Sequence, residues 1–306
     1  MAMKERCINL NNKYFYINEQ ISDDISKIIG NKSYNTFLLN SKGFAVPKSI
    51  FTTPLLFDCY KNNILEFNKE ITNIQNYLRE NHFSNSLAVR SSCLLFDESG
   101  NVIKEDSDSL SMAGWFKSNL NISINSIRSA IVDCYSIVNS ETLRQNINNH
   151  FHSKIIVKVA LLIQEFYTAE KSAVIFTKNQ YAYKRGDFLI NSTYGACNGL
   201  VSGEITGDSY WINRKNGSVN FTHITKKDKM YVNSIQGIDI IDVATNLQNK
   251  ETLSNKDIKN LFKLGMSVEK AFNCPQDMEL IYNLKDGWII VQTRPIVYWK
   301  GVVKDE

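Results

Sequence analysis

Near the end of this 306-residue sequence, four polar side chains stand among apolar ones. In "CPQDMELIYNLKDGWIIVQTRPI", residues 274 to 296, these are Asp277, Glu279, Gln292 and Arg294. Two carboxylates beside an amide and a guanidinium have the chemistry to hold a divalent cation and a polyphosphate. The oxygens serve as hard ligands for the metal, and the planar fork suits a phosphate. Asp286-Gly287, flanked by alternating apolar residues, predicts a hairpin with a two-residue type I′ turn. Lys285 then faces Trp288. Working outward, Ile281 faces Gln292, Glu279 faces Arg294 and Asp277 faces Ile296, so that the four polar groups share one face. Met278, Leu280, Val291 and Thr293 fall on the other, core-like face. The competing reading is a cross-strand salt bridge on a solvated face, worth about 0.2–1 kcal/mol. A three-residue turn would slip the register and scatter the cluster.

Further candidates lie upstream. Lys32 follows Gly30-Asn31 and is either a phosphate-facing lysine or a solvated one on a helix surface. Arg90 sits inside the apolar run "SLAVRSS", where a guanidinium calls for a partner. The small-residue segment "SLSMAG", 109 to 114, contains Ser111 and Gly114 and can approach phosphates through backbone amides. Gln164-Glu165 ends an apolar strand and either faces a purine or marks a strand terminus turning polar. The four histidines, at 82, 150, 152 and 223, have neither nucleophile nor metal-ligand spacing.

The elements expected to position these residues are a helix over 20 to 40 interrupted at Gly30, and a helical stretch over 54 to 81. A short strand follows at 86 to 92, then a polar loop from Cys93 to about Ser111, and helical periodicity over 124 to 147. Strands follow at 155 to 166 and 171 to 178, then glycine-broken strands and an Asn216-Gly217 turn. An amphipathic helix over 254 to 272 has Ser254 as its N-cap. A helix-rich first half and a strand-rich second half make an α+β chain of two lobes, divided as 1–153 and 154–306.

At 43% hydrophobic residues the chain can bury a sizeable core. Its net charge of +4 is spread among acidic residues without a basic run, so no nucleic-acid partner is expected. Six scattered cysteines without Cys-x-x-Cys read as reduced thiols. No apolar run reaches the ~18 residues of a membrane helix, so the expectation is a cytoplasmic protein with no membrane partner.

In order and spacing, "GNKSYN", "AVRSS", "EDSDSLSMAG", "LLIQEFYTAEKSAVIFT", "YGACNGLVSGEITGDSY" and "PQDMELIYNLKDGWIIVQTRP" resemble the N-terminal nucleotide-binding domain of the phosphoenolpyruvate synthase and pyruvate phosphate dikinase family, also found in rifampin phosphotransferase. The resemblance spans about residues 25 to 297. It implies an ATP-grasp fold with the nucleotide site between two lobes, and ATP and Mg2+ as cofactors. By resemblance, Lys32 and Arg90 match phosphate-binding positions, and Ser111, Gly114, Gln164 and Glu165 fall in nucleotide-contacting segments. Glu279 and Gln292 match magnesium-coordinating positions with Asp277 beside them, and Arg294 matches the arginine at the transferred phosphoryl group. Lys32, Arg90 and Arg294 would then carry the catalysis, since phosphoryl transfer is mostly positioning and charge neutralisation.

The sequence departs from the family in three places. Gly195-Ala196-Cys197-Asn198 stands where the family usually has Gly-Leu-Gly-Glu, which removes a carboxylate and a flexible glycine. Twelve residues, "CLLFDESGNVIK", separate Ser92 from Glu105 where three are usual. No Thr-Ser-His motif of the family's histidine domain is present, so the phosphoryl acceptor is expected outside these residues: a small molecule, or a histidine on a separate domain. The expected activity is that of a kinase or the ATP-cleaving part of a dikinase. An ATP-grasp ligase working through an acyl phosphate, and a non-catalytic nucleotide-binding module, are the alternatives.

Overall fold

A computed structural model describes residues 14–16, 25–103, 117–151, 153–180, 186–234 and 237–296. The chain divides into two compact units, Met1–Ser41 with Pro47–Phe166, and Lys42–Val46 with Tyr167–Glu306. The division thus falls after Phe166, later than the 153/154 boundary expected from sequence. The strand over Ile156–Glu165 pairs on both sides with strands of the first unit and belongs to its sheet.

The first unit runs β1 (Tyr14–Tyr16), α1 (Ser26–Ser41), β2 (Ser49–Thr52), α2 (Pro54–Asn62), α3 (Ile64–Glu80), β3 (Leu87–Phe96), β4 (Val102–Ile103), β5 (Ser118–Ile122), α4 (Ile127–Tyr135), α5 (Glu141–His150) and β6 (Ile156–Glu165). Its sheet has the order β1-β2-β6-β3-β4, with β5 also on β3, and every pairing is antiparallel. Strand alternation sorts the two faces. Leu87, Val89, Cys93, Val159, Leu161 and Ile163 form a core with Phe67, Ile74, Leu78, Ile131 and Tyr135 from the helices. Ala88, Arg90, Ser92, Leu162 and Gln164 project from the opposite face.

Three expectations are revised here. The single helix over 54–81 is two helices, because the Asn63 side chain accepts from the amide of Glu66 and starts α3 afresh. The stretch over 124–147 is likewise broken, with Ser140 capping α5 through the amide of Leu143. The loop expected from Cys93 begins later. Leu94 and Leu95 continue the pairing with Lys158 and Val157, and Asp97–Asn101 turns the chain into β4.

The second unit contains β7 (Lys171–Phe176), β8 (Phe188–Tyr194), α6 (Asn198–Ser202), β9 (Asp208–Ile212), β10 (Val219–His223), β11 (Lys229–Asn233), β12 (Ile238–Asp242), α7 (Asn255–Phe272), β13 (Gln276–Asn283) and β14 (Gly287–Pro295). One antiparallel sheet has the order β10-β9-β8-β7-β13-β14, and β11-β12 form a separate ribbon. Helix α7 lies close on the sheet because Gly265 has no side chain. A Cβ there would sit 2.6 Å from the ring of Phe188. Ser254 caps α7 as expected, with Asp257 completing a reciprocal capping box. None of the described cysteines is disulfide-bonded. Among the described residues no helix is long and apolar enough to cross a membrane.

Asp257 ties α7 to the sheet and gives a pH prediction. Its carboxylate accepts from Lys171 at 2.8 Å, from the Ser254 hydroxyl and amide, and from the Trp288 indole at 3.2 Å. Burial by itself would raise its pKa, but these donors outweigh burial and hold it at about 2, below the ordinary 3.8. A depressed carboxyl contributes stability that is present above its unfolded pKa and lost as pH falls through its folded pKa. Asp257→Asn should therefore differ most from the native chain in urea midpoint above pH ~4, with the gap closing toward pH ~2. A gap that stayed constant across that window would contradict the assignment.

Candidate functional site

In the first unit the phosphate-facing candidates are set by one close backbone contact. Gly30 leaves helical geometry at φ 74° and ψ 163°, so α1 restarts at Asn31. A Cβ on Gly30 would lie 2.6 Å from the Ser92 carbonyl oxygen, which confines this position to glycine. The Ser92 hydroxyl accepts from the Ser33 amide at 3.1 Å. A side chain from β3 thus satisfies a donor at the start of the restarted helix, the role an N-cap usually plays. Lys32 lies in this turn, and Arg90 lies two residues before Ser92 on the same face of β3. The "GNKS" and "RSS" segments are locked together. Gly30→Ala should destabilise the first unit by about 2 kcal/mol or more, since the left-handed φ alone costs about 1–2 kcal/mol. Chemical denaturation would measure this, and a loss under 0.5 kcal/mol would refute the contact.

Arg90 is 8% exposed and pairs in register with Leu162, one step along from Ala88 opposite Gln164. Gln164 lies on the same sheet face and is fully buried. Among the described residues neither end of its amide has a hydrogen-bond partner. An amide in that state is costly and calls for an explanation such as a ligand. Glu165 is placed otherwise. Its carboxylate accepts from the Ser84 amide at 2.8 Å and its own amide donates to the Lys48 carbonyl, so its side chain projects from the opposite face. Ser111 and Gly114 lie outside the described residues.

The hairpin of the second unit corrects the expected register. Asn283 faces Gly287, so the connection is the three residues 284 to 286. The Asn283 side chain accepts from the amide of Lys285, and Gly287 takes φ 77°. This is the three-residue loop followed by a left-handed residue, and the Asx turn at Asn283 stabilises it. Tyr282 therefore faces Trp288, and Ile281 faces Ile289. That slip by itself would move the polar residues of β14 to the wrong face. A bulge between Glu279 and Leu280 in the pairing, with Val291 as the extra residue, restores the parity. Beyond it Glu279 faces Gln292, and Asp277 faces Arg294. The cluster survives with exchanged partners.

The geometry follows from that register. Arg294 Nε and Nη2 lie 2.7 and 2.6 Å from Asp277 Oδ2, and Gln292 Nε2 donates to Glu279 Oε1 at 3.3 Å. Met278, Leu280 and Thr293 are buried on the other face, as expected. Val291 is not with them. The bulge turns it to the side of Ile281 and Ile289, where it packs with Cys197. Sequence reasoning did not anticipate this neighbour, and the Cys197 thiol lies 4.0 Å from Glu279 Oε2. Its signal was the cysteine within Gly195–Asn198.

Among the described residues no group of three His, Cys, Asp or Glu side chains is arranged to hold a metal ion. Glu279 and Gln292 nevertheless stand opposite one another in the pairing, and each carries an oxygen able to ligate a hard cation. That set fits Mg2+, which keeps several waters and takes one or two carboxylates along with substrate phosphates.

Each unit combines an antiparallel sheet with α-helices, which makes the chain α+β. The chain belongs to the family of the pyruvate phosphate dikinase AMP/ATP-binding domain, whose pattern matches residues 13–305. It is 32% identical over 151 residues to a probable phosphoenolpyruvate synthase of Methanocaldococcus jannaschii, covering 49% of this chain and 13% of that protein. It is 29% identical over 229 residues to rifampicin phosphotransferase of Bacillus cereus, covering 74% and 25% respectively. The chain thus spans a quarter or less of the length of these two relatives. Among solved structures, the VanG D-Ala:D-Ser ligase of Enterococcus faecalis overlays 88% of this chain and 53% of its own, at 11% identity and a TM-score of 0.38.

Proposed function

We propose that this chain binds ATP with Mg2+ and transfers a phosphoryl group from it. It acts either as a kinase on a small molecule or as the ATP-cleaving part of a dikinase whose acceptor is a histidine on another domain or protein. The observation that carries this reading is the hairpin face on which Glu279–Gln292 and Asp277–Arg294 stand in adjacent registered pairs. Two oxygen donors and one guanidinium, held by main-chain pairing, are the parts a phosphoryl-transfer site requires. The relatives that are phosphoenolpyruvate synthases and rifampicin phosphotransferases support the same class.

Glu279 and Gln292 would hold the magnesium ion, which neutralises phosphate charge when bound. Arg294, oriented by Asp277, takes up negative charge on the transferred group. Lys32 and Arg90 bind phosphate oxygens, and Gln164 meets the purine. Glu165, with its carboxylate on Ser84, serves through the course of β6 rather than through its side chain.

Asn198, in place of the family's glutamate, favours a second reading as a non-catalytic nucleotide-binding module. Phosphorus NMR of the protein with Mg-ATP, with and without candidate acceptors, separates the readings. AMP with phosphate identifies dikinase chemistry. ADP with a new phosphorus resonance identifies a kinase or an acyl-phosphate ligase, which a carboxylate acceptor distinguishes. Tight nucleotide binding without turnover identifies the module, and absence of nucleotide binding by the folded protein overturns all of these.

A further inference from the structure

Cys197 lies in the turn that leads from β8 into α6. Its backbone is tightly set. The Gly195 amide donates to the Glu170 carbonyl at 3.0 Å, and the Ala196 amide to the Tyr231 carbonyl at 2.9 Å. Gly195 adopts φ 72°, and a Cβ there would collide with the Tyr231 carbonyl oxygen, so the turn has no slack. Immediately after Cys197 the chain enters α6. The side chain is 4% exposed and packs with Ile281, Ile289 and Val291. These contacts aim the thiol at Glu279 Oε2, 4.0 Å away.

Glu279 is thereby approached from two directions. Gln292 donates to Oε1 and the Cys197 thiol faces Oε2. A thiol is a weak donor, but a carboxylate whose rotamer is fixed on both oxygens presents its remaining lone pairs in one orientation. The bulge at Val291 serves both contacts, since it turns Gln292 toward Glu279 and places Val291 against Cys197.

We propose that Cys197 is a positioning residue for Glu279 and sets the divalent-cation affinity of this site through that carboxylate. The proposal rests on the reading of Glu279 as a magnesium ligand. Groups that orient metal ligands typically affect metal affinity or activity by about 10–100-fold, and a weak donor belongs at or below the lower end of that range.

The test is a Mg2+ titration of ATP turnover, or of ATP binding by calorimetry if turnover is absent. It compares the native chain with Cys197→Ala and Cys197→Ser, each checked for folding by thermal melting. Cys197→Ala should raise the half-saturating Mg2+ concentration by about three- to tenfold, with ATP binding in the absence of metal unchanged. Cys197→Ser, which restores a donor, should recover part of the loss. In a Glu279→Gln background, Cys197→Ala should have no further effect on the Mg2+ dependence. A folded Cys197→Ala with a native Mg2+ dependence overturns the proposal. So does an unchanged effect in the Glu279→Gln background, which would show that Cys197 acts by general packing. Failure of the native chain itself to bind ATP in a Mg2+-dependent way would instead overturn the assignment of Glu279.

Discussion

Arg294→Ala should lower turnover of Mg-ATP by at least about a hundredfold while leaving ATP binding largely in place. Removing one preorganised group that meets charge developing in the transition state costs about 2.7–4 kcal/mol in well-studied sites, and ground-state binding loses far less. The Asp277 contact sharpens the expectation. Both Nε and Nη2 of Arg294 lie against one Asp277 oxygen, so the plane of the guanidinium is set before any substrate arrives. Arg294→Lys keeps the charge but not the fork and should recover only a small part of the loss. Turnover by Arg294→Ala within about tenfold of native, which is about 1.4 kcal/mol of barrier, would remove Arg294 from the catalytic set.

The second large effect concerns stability. Asp208 and Lys227 form an ion pair at 2.5 Å in which both side chains are completely buried. Around it, Asp208 also accepts from the Thr225 amide and from the Thr252 amide and hydroxyl, and Lys227 donates to the Thr225 carbonyl. One carboxylate thus fastens the segments around 225 and 252 to β9. Asp208→Ala would leave the Lys227 ammonium buried without its counter-charge and should destabilise the second unit by about 3–5 kcal/mol. Urea unfolding measures it. Replacing the pair together, Asp208→Leu with Lys227→Met, should cost much less than Asp208→Ala, because no isolated charge remains. A loss below about 1 kcal/mol for Asp208→Ala would show that Lys227 escapes to water or finds another partner.

The Asp208–Lys227 pair also shows where reading the sequence stops. Neither residue stands out in its local context. Asp208 follows a Gly-rich stretch and Lys227 lies in a run of lysines, and such residues are ordinarily solvated. Nineteen positions separate them, and their burial is decided by how β9 and the following segment fold back together. Arg90 stood out more, because an arginine in an apolar strand is a local anomaly, whereas Lys32 read equally as a solvated helix lysine. What joins them, the Ser92 hydroxyl on the Ser33 amide beneath Gly30, is a contact between segments 59 positions apart. Glu165 looked equivalent to Gln164 in sequence, yet strand alternation sends its carboxylate to Ser84.

By itself the sequence determined the α+β class, the hairpin and the identity of its four polar residues. It also determined the helix capped by Ser254 and, through the order of its motifs, the family. Those features are local or additive, since periodicity, caps and motif spacing act over a few residues each. Only the tertiary structure decided the partners. Asp286-Gly287 invited a two-residue turn, but Asn283 capped a three-residue one, and the bulge at Val291 then brought Glu279 to Gln292 and Asp277 to Arg294. The physical reason is that a strand slip of one residue exchanges its two faces, so once Asn283 has set the longer turn it is the bulge that keeps Gln292 and Arg294 off the face on which Met278, Leu280 and Thr293 are buried.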